Sequence, residues 1–310
     1  MSFDVVPYAS SQLDELRGLI RQPALASEFE MMVPPGHLEE QLGDPHLAPD
    51  ATMLGRAGGR TVGFGFAFLV PAPEGGAWAA IRLGVAEPWR RRGLGTALLE
   101  RIVERLCALE VAGGIRELGL AAFLPNPAAE GFAARHGFEH ARWFWRMGRP
   151  SAPAAEVRWP SGTVLRMLDR AEAELIDFNG AYNASFARHY HFVPSTLETL
   201  RRRVAHPDTF ADGVLLAYRD GRCVGFCRNE RMGPIGVIGI LGTTPEARGI
   251  GLGRALLRWA VASFGARGFP RVGLMVDGDN EGALALYRSE GFEIERTRRL
   301  WRRLSGPEAC

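Results

Sequence analysis

The chain has no lysine, and only four of its 310 residues are cysteine. A Walker phosphate-binding loop needs a lysine after its glycines, so the absence of lysine excludes that loop. Cys223 and Cys227 are four positions apart, unlike the two-residue gaps usual for zinc sites. We therefore expect Cys223 and Cys227 to be free thiols and not zinc ligands.

The sequence also lacks a long apolar run and a large net charge. No stretch reaches the roughly 18 apolar residues of a membrane-spanning helix, and residues 1–10 contain no basic segment followed by an apolar one. The formal net charge of +2 provides no global field for nucleic acid or for an anionic membrane. We therefore expect a cytoplasmic protein without a membrane or nucleic-acid partner. Its expected oligomeric state is a monomer or a homodimer.

What the sequence does contain is one glycine-rich turn in two copies. In each copy an arginine is followed three and five residues later by glycine, and an amphipathic helix follows. The members are Arg90, Gly93 and Gly95 in residues 85–95, and Arg248, Gly251 and Gly253 in residues 243–253. The first amides of a helix lack intrahelical acceptors, and glycine permits close approach, so each turn predicts a phosphate site. Recurrence favours this interpretation over simple chain reversal.

The repeat extends beyond the turns. Residues 59–64 read GRTVGF and residues 221–226 read GRCVGF, and in both halves the pattern then predicts strand, strand, helix, strand, helix, strand. Residues 148–162 contain three prolines and no apolar period, which predicts a linker. We therefore predict two domains, residues 1–150 and 151–310, each a mixed sheet flanked by helices.

These motifs resemble the GNAT superfamily of acyl-CoA-dependent N-acyltransferases. The shared pattern is a strand ending in Val or Thr, a proline, Arg-x-x-Gly-x-Gly, a helix and a strand, then Asn, Ala and Tyr before Gly-Phe. The second half matches it at Thr243, Pro245, Arg248, Gly251, Gly253, Asn280, Ala283, Tyr287, Gly291 and Phe292. The resemblance implies an α/β (α+β) fold of two tandem GNAT-like domains, each a splayed, mostly antiparallel sheet flanked by helices.

The resemblance also implies acetyl-CoA as the cosubstrate. Its pyrophosphate would bind the amides of the turns, and its pantetheine would pair with a strand edge. The implied cofactor-binding residues of the second half are Leu241, Thr243, Arg248, Gly249, Ile250, Gly251, Leu252, Gly253, Arg254 and Asn280. Those of the first half are Val85, Arg90, Arg91, Arg92, Gly93, Leu94, Gly95 and Thr96.

The two halves differ at one position that matters for catalysis. The resemblance makes Tyr287 the general acid, with its phenol directed at the CoA sulfur, and the alternative is a core aromatic. The position seven residues after Asn126 in the first half is Ala133, which cannot donate a proton. We therefore predict a catalytic C-terminal domain and an N-terminal domain that binds acyl-CoA weakly or serves as structure.

The general base is less defined by the sequence. The tandem arrangement resembles that of the mycothiol synthase family, in which an acidic residue precedes the turn, whereas residues 236–242 read GVIGILG. Glu230, at the end of the preceding strand, is the nearest acidic candidate. A backbone carbonyl with a water relay is the alternative.

The acceptor should enter between the opening helices and the sheet of the second half. Tyr182, Phe186, His189 and Tyr190 are suited to line that cleft, or they pack between the domains. No Cys or carboxylate stands at ligand spacing from the histidines, so no metal is predicted. We expect an N-acetyltransferase that acts on a small primary amine. The alternatives are an antibiotic-modifying or protein acetyltransferase, and a non-catalytic acyl-CoA sensor.

Overall fold

The structure is a computed structural model, and it describes residues 2–151 and 156–305. The strands are β1 (Asp4–Pro7), β2 (Met53–Ala57), β3 (Arg60–Pro71), β4 (Ala77–Val85), β5 (Ile115–Leu124), β6 (Glu139–Pro150), β7 (Val164–Met167), β8 (Thr209–Arg219), β9 (Arg222–Met232), β10 (Ile235–Thr243), β11 (Arg271–Asp277) and β12 (Glu293–Leu304). The helices are α1 (Leu13–Ile20), α2 (Pro23–Ala26), α3 (His37–Leu42), α4 (Leu94–Cys107), α5 (Pro127–Arg135), α6 (Glu172–Phe186), α7 (Leu197–Ala205), α8 (Leu252–Ala266) and α9 (Glu281–Ser289). Among the described residues no helix combines the length and apolarity needed to cross a membrane.

The chain forms two compact units, which differ in their bounds from the predicted domains. Of the described residues, unit 1 holds 2–143 and 298–305, and unit 2 holds 144–151 and 156–297. The prediction placed the boundary at residue 150, whereas the units divide inside β6 and again inside β12. The physical reason is strand pairing: β6 pairs with β11 from Phe144 to Pro150, and β12 is the neighbour of β5. The end of β6, from residue 144, thus belongs to unit 2, and the end of β12, from residue 298, belongs to unit 1. A repeat in the sequence cannot reveal this exchange of final strands.

The predicted linker, residues 148–162, lies only partly within the described structure. Its first residues complete β6, and residues 152–155 lie outside the described residues. Residues 156–163 contain no helix or strand. The last five residues of the predicted second domain, 306–310, also lie outside the described residues.

In unit 1 the strands β1 to β4 are antiparallel neighbours, and β4 pairs with β5 in parallel. The parallel pairing ends at Ile81 and Leu120, beyond which the described strands are unpaired with each other. Leu98 and Ile102 of α4 are fully buried against β3, on the face where Gly63 and Gly65 leave room for them. The amphipathic helix after the first turn is therefore the core helix of unit 1, as its apolar spacing predicts.

In unit 2 the strands β7 to β10 are antiparallel neighbours, and β10 pairs with β11 in parallel. The helix α6 covers one face of this sheet, where Phe178 and Phe226 are buried. The helix α8 covers the other face, where Leu256 and Phe264 are buried. The mixed sheet flanked by helices, predicted for both halves, is confirmed.

One glycine pair shows how closely the two copies correspond in packing. Gly84 lies opposite Phe64 in unit 1, and Gly242 lies opposite Phe226 in unit 2. A Cβ atom at either glycine would lie 2.3 Å or 2.4 Å from the facing aromatic ring. Because no side chain fits there, glycine allows a phenylalanine to lie flat across the strand that leads into each turn.

Candidate active site

The turn between β10 and α8 presents backbone amides to open space. Gly249 and Gly251 have φ values of 78° and 88°, in the left-handed region that favours glycine. A Cβ atom at either position would meet nothing within 4 Å. Among the described residues no side chain caps α8, and its first turn has no acidic residue. The amides and the positive end of the helix dipole therefore face an accessible space, which suits a phosphate group.

Unit 1 keeps the same turn although one glycine is replaced. Arg91 stands where unit 2 has Gly249 and has a φ of 61°, and Gly93 has a φ of 87°. A residue with a side chain costs roughly 1–2 kcal/mol in this region. The surrounding structure of unit 1 therefore holds the turn in the conformation seen in unit 2. The Nε atom of Arg90 donates to the carbonyl oxygen of Val85 at 3.1 Å.

The two arginines of the second turn have different partners. The Nη2 atom of Arg248 donates to the carbonyl oxygen of Ser185, 3.2 Å away near the C-terminal end of α6, where a cation offsets the helix dipole. Arg254 donates from Nη1 to the Oγ atom of Ser289 at 2.9 Å and forms an ion pair with Glu290. Arg254 lines the cleft in front of the turn. Of the two, Arg254 thus lies beside the space in front of the turn.

An open strand edge leads into this turn. The strands β10 and β11 are joined by two residue pairs, the last of them between Val237 and Gly273. Beyond that pair the described part of β11 gives β10 no partner, while Leu241 and Thr243 remain paired with β9 on the other side. Such an edge offers backbone donors and acceptors to an extended ligand. Both predicted cofactor residues on β10 therefore lie at an edge suited to pantetheine.

Asn280, predicted to bind the cofactor, has a structural role. Its Oδ1 atom accepts a hydrogen bond from the amide of Ala283 at 3.1 Å, and Asn126 caps α5 through Ala129 at 3.0 Å. Such a cap stabilises a helix by about 1 kcal/mol. The cap fixes where α9 begins, and this sets the position of Tyr287 two turns later.

Tyr287 lies in the hydrophobic core of unit 2 and is 7% exposed. Its ring centroid is 6.0 Å from that of Phe292. Burial raises the pKa of the phenol, and the neighbouring thiol of Cys227 raises it further. The group therefore keeps its proton at neutral pH. Tyr287 was predicted to be either a general acid or a core aromatic. The two roles are compatible, because a buried aromatic with a protonated hydroxyl remains a hydrogen-bond donor.

The corresponding region of unit 1 is built differently. Ala133, which stands at the position of Tyr287, is 1% exposed in the core of unit 1. Beside it Phe132 packs on His136 with ring centroids 4.4 Å apart. The Nε2 atom of His136 lies 3.1 Å from the Oγ1 atom of Thr96 in the first turn of α4. Unit 1 thus has a methyl group in place of the phenol.

Glu230 reaches across from β9 to β10. The register of β10 shifts between Ile238 and Ile240, and a Cβ atom on the intervening Gly239 would lie 2.5 Å from Glu230 Oε1. The Oε2 atom of Glu230 is 2.8 Å from Arg228 Nη2. Bulges often re-aim side chains next to active sites. The strand β10 has no acidic residue of its own, but the Glu230 carboxylate of β9 lies beside its Gly239. This position is just beyond the last residue pair that joins β10 to β11.

The predicted acceptor residues on α6 face the same side of the sheet as Glu230. Tyr182 and Phe186 have ring centroids 4.8 Å apart, and they lie 6.2 Å and 6.1 Å from Phe226 of β9. Phe226 and Glu230 are four residues apart on one strand, so their side chains point to the same face. The structure therefore brings these two predicted acceptor residues to the face that carries the candidate base.

The two remaining acceptor candidates follow the end of α6. The ring of His189 meets Phe186 edge-on at 4.7 Å. Tyr190 stacks on His191 at 3.7 Å, and His191 has a φ of 52°. His189 thus joins the aromatic group on α6, whereas Tyr190 packs against its neighbour in the chain.

Sequence analysis missed Glu290 and the second arginine it holds. Arg258 donates to its carboxylate from Nε at 2.9 Å and from Nη2 at 3.0 Å, and Arg254 forms the other ion pair. The side chain of Glu290 is 8% exposed. Burial disfavours its charge, but the hydrogen bonds from the arginines outweigh burial and lower its pKa. The i, i+4 spacing of the arginines on α8 was the available signal.

Two regions of the chain, residues 21–138 and 178–292, match the model of the acetyltransferase (GNAT) family. A mycothiol acetyltransferase of Thermomonospora curvata is 38% identical over 233 residues, which is 74% of each chain. The mycothiol acetyltransferase of Kineococcus radiotolerans is 34% identical over 271 residues, covering 82% of this chain and 86% of its own. The similarity therefore includes both copies of the repeat.

Solved structures share the tandem fold. A tandem GNAT protein from the clavulanic acid biosynthesis pathway matches with a TM-score of 0.73 and 22% identity, over 99% of both chains. A GCN5-related N-acetyltransferase from Sphaerobacter thermophilus matches with a TM-score of 0.71 and 22% identity, over 97% of this chain and 95% of its own. The predicted fold of two tandem domains of this kind is confirmed.

Proposed function

Because the chain belongs to the GNAT acetyltransferase family and is an N-acetyltransferase, we propose that unit 2 transfers an acetyl group from acetyl-CoA to a small primary amine. The observation that carries this proposal is the open edge of β10, which runs from the Glu230 carboxylate to the glycine turn. The relatives are mycothiol acetyltransferases. The first acceptor to assay is therefore the form of mycothiol that lacks its acetyl group.

In the proposed complex the pyrophosphate of acetyl-CoA lies on the turn amides of residues 248–253. The pantetheine arm extends along β10 past Thr243 and Leu241, pairing with their backbone as an added strand would. This direction carries the thioester toward the bulge at Gly239, where Glu230 lies. The acceptor approaches from the face of α6, between Tyr182 and Phe186 and the sheet.

The reaction then needs two proton transfers. The amine nitrogen attacks the thioester carbonyl carbon, so a C–N bond forms and the C–S bond breaks. Glu230 accepts the proton that the nitrogen loses, and Tyr287 donates its proton to the departing thiolate, giving free CoA. Burial keeps Tyr287 protonated before the reaction. Solvent returns the proton from Glu230 to Tyr287 after product release.

The role of Tyr287 is tested by Tyr287→Phe, which removes only the hydroxyl. We expect kcat to fall about 100-fold or more, the usual contribution of a general acid, with little change in the KM for acetyl-CoA. Tyr218→Phe is the matched control because Tyr218 is also a buried tyrosine of unit 2, bonded to Asp177 at 3.2 Å. If both Tyr287→Phe and Tyr218→Phe keep the wild-type kcat at every pH, Tyr287 is not the general acid.

The role of Glu230 is tested by the pH profile of Glu230→Gln. Without the base the amine must lose its proton to water, so we expect kcat/KM to fall about 10- to 100-fold near neutral pH and to recover as the pH rises. Glu293→Gln, at an exposed carboxylate of the same unit, should leave the profile unchanged. A wild-type profile for Glu230→Gln would instead favour the backbone carbonyl and water relay.

For unit 1 we propose weak acyl-CoA binding without turnover. The support is the preserved turn, in which Arg91 adopts a left-handed φ, together with Ala133 in place of the phenol. Calorimetry with CoA tests this proposal through its stoichiometry. Two sites in the wild type and one in Gly93→Glu would support it, whereas a stoichiometry of one in both would leave unit 1 a structural role.

The acceptor is a small molecule, and acetyl-CoA is supplied in the cytoplasm, which we take as the site of action. A panel of amines in a thiol-release assay tests the acceptor class. If the protein binds CoA but acetylates no amine in the panel, a non-catalytic acyl-CoA sensor explains the binding better.

A further inference from the structure

A cleft of about 290 Å³ lies against the first two turns of α8 in unit 2. One wall is the helix and the turn before it, and the other comes from the segment that precedes β7. The lining residues are Arg158, Trp159 and Pro160 on one side, and Ile250, Gly251, Arg254, Ala255 and Arg258 on the other. The cleft therefore adjoins the phosphate turn and combines three guanidinium groups with one indole.

Two of the guanidinium groups are held in place by Glu290. Arg258 uses Nε and Nη2 for that carboxylate, and Arg254 uses Nη1 for the same carboxylate and for Ser289. A guanidinium has five N–H donors, so each arginine retains donors for a second partner. The cleft has three arginines, and the Glu290 carboxylate compensates the charge of one of them, so its net charge is positive. It suits an anion with several acceptor oxygens, such as a phosphate.

The third arginine and the indole come from the segment before β7. Trp159 is half-buried and packs against the core of unit 2, so its position is fixed by contacts outside the cleft. Arg158 is exposed. An aromatic face next to arginines provides stacking for a nucleobase and charge for a phosphate attached to the same nucleoside.

The equivalent positions of unit 1 carry less positive charge, although Arg92 stands where Ile250 lines the cleft of unit 2. One residue after the last glycine of the turn, unit 2 has Arg254 and unit 1 has Thr96. Five residues after it, unit 2 has Arg258 and unit 1 has the exposed Glu100. A carboxylate at that place would repel a phosphate. The positive cleft is thus a feature of unit 2.

From this cleft we infer that unit 2 recognises the phosphorylated adenosine end of CoA through residues of the segment before β7. Trp159 packs against the adenine, and Arg158 and Arg258 bind the 3′-phosphate of the ribose. The inference rests on the proposed function, because the pyrophosphate on the turn determines which end of the ligand reaches the cleft. Its consequence is selectivity for CoA over dephospho-CoA, which lacks only that phosphate.

Selectivity is measured by calorimetry with CoA and with dephospho-CoA on the full chain. The wild type should bind CoA about 10-fold or more tightly than dephospho-CoA, as expected for a charged hydrogen-bonded contact. Arg158→Ala should reduce this ratio by about 3-fold or more because it weakens CoA binding alone. Trp159→Ala should weaken both ligands to a similar extent and leave the ratio unchanged. Arg222→Ala, at an exposed arginine outside the cleft, controls for net charge.

The outcomes separate this inference from the proposed function. If the wild type binds both ligands equally well, the phosphate contact is wrong while the proposed function stands. If Arg158→Ala keeps the wild-type ratio with a native circular dichroism spectrum, Arg158 is not the phosphate ligand. Should Trp159→Ala fail to fold, Trp159→Leu replaces it and is expected to weaken both ligands. Failure of the wild type to bind either ligand would overturn the proposed function and this inference together.

Discussion

The two units have the same backbone at the glycine turn and different side chains around it. Gly251 and Gly93 have φ values of 88° and 87°, and each begins a core helix. Around the turn, unit 2 places Tyr287 and Arg258, where unit 1 has Ala133 and Glu100. The phosphate site proposed at the turn consists of amides and depends on backbone conformation, and the turn keeps that conformation although Arg91 stands where unit 2 has Gly249. The proposed proton donor is a single side chain, Tyr287, and unit 1 has Ala133 in its place.

The same contrast extends to the face where the acceptor is proposed to bind. In unit 2, β9 carries the ion pair of Arg228 and Glu230, 2.8 Å apart. The corresponding strand of unit 1 carries Phe66 and Phe68, with the guanidinium of Arg82 lying 4.8 Å over the ring of Phe68. Burial lowers the pKa of Arg82 to about 10, so it stays charged at neutral pH. Unit 1 thus has no candidate base on this described strand.

The comparison is tested most severely by an acidic residue in each turn. Gly251→Glu should raise the KM for acetyl-CoA about 100-fold or more, since the pyrophosphate would lose charged hydrogen bonds and meet a carboxylate. Gly93→Glu is the matched variant in unit 1 and should leave turnover close to wild type. Both carry a similar cost in stability, about 1–2 kcal/mol for a side chain in the left-handed region. Equal losses of turnover in the two variants would mean that both units are needed for catalysis.

A smaller effect is expected from exchanging the charge that distinguishes the helices. Arg258→Glu gives unit 2 the residue of unit 1, and the KM for acetyl-CoA should rise about 10-fold as one phosphate contact becomes repulsive. The reverse exchange, Glu100→Arg, should leave steady-state kinetics unchanged while CoA binding to unit 1 tightens in calorimetry. A wild-type KM for Arg258→Glu would contradict the electrostatic difference between the units.

The smallest effect concerns stability and pH. Burial lowers the pKa of His136 from its ordinary value of 6.5, although Glu100 acts in the opposite direction. The unfolded chain therefore binds the proton more readily, so the free energy of unfolding should decrease as the pH falls below about 6.5. Glu290 stands at the position of unit 2 that corresponds to His136, and its pKa is lowered. Its contribution to the free energy of unfolding should be lost only as the pH falls below about 4.5.

Urea midpoints at a series of pH values measure this difference. The change in midpoint between neutral and mildly acidic pH should be smaller in His136→Gln than in the wild type. His206→Gln is a suitable control because His206 is a histidine of unit 2. Identical pH dependence in the wild type and His136→Gln would show that His136 does not couple protonation to folding.

Parts of the site that depend on backbone conformation could be predicted from the sequence. Glycine at positions 249 and 251 permits the positive φ values found there, and the Asn280 cap and helical spacing determine where Tyr287 lies. The aromatic group of Tyr182 and Phe186 follows from their i, i+4 spacing on one helix. These features depend on residues close together in the chain.

Features that depend on residues far apart in the chain could not be predicted. The contact of Glu230 with the bulge at Gly239 depends on a register shift between two strands, which a glycine permits but does not specify. The half-buried position of Trp159 depends on core contacts of a segment without an apolar period. Arg248 has the spacing of a phosphate ligand, but its guanidinium binds the carbonyl of Ser185.

The exchange of final strands also sets an order of events during synthesis. The sheet of unit 1 contains β5 and, beside it, residues 298–304, which include the buried Trp301. At about 5–20 residues per second, a ribosome needs about 8–30 s to pass from residue 143 to residue 298. During that interval the edge of β5 lacks its native partner and is open to wrong pairing. The half of the protein that is synthesised first is thus completed last.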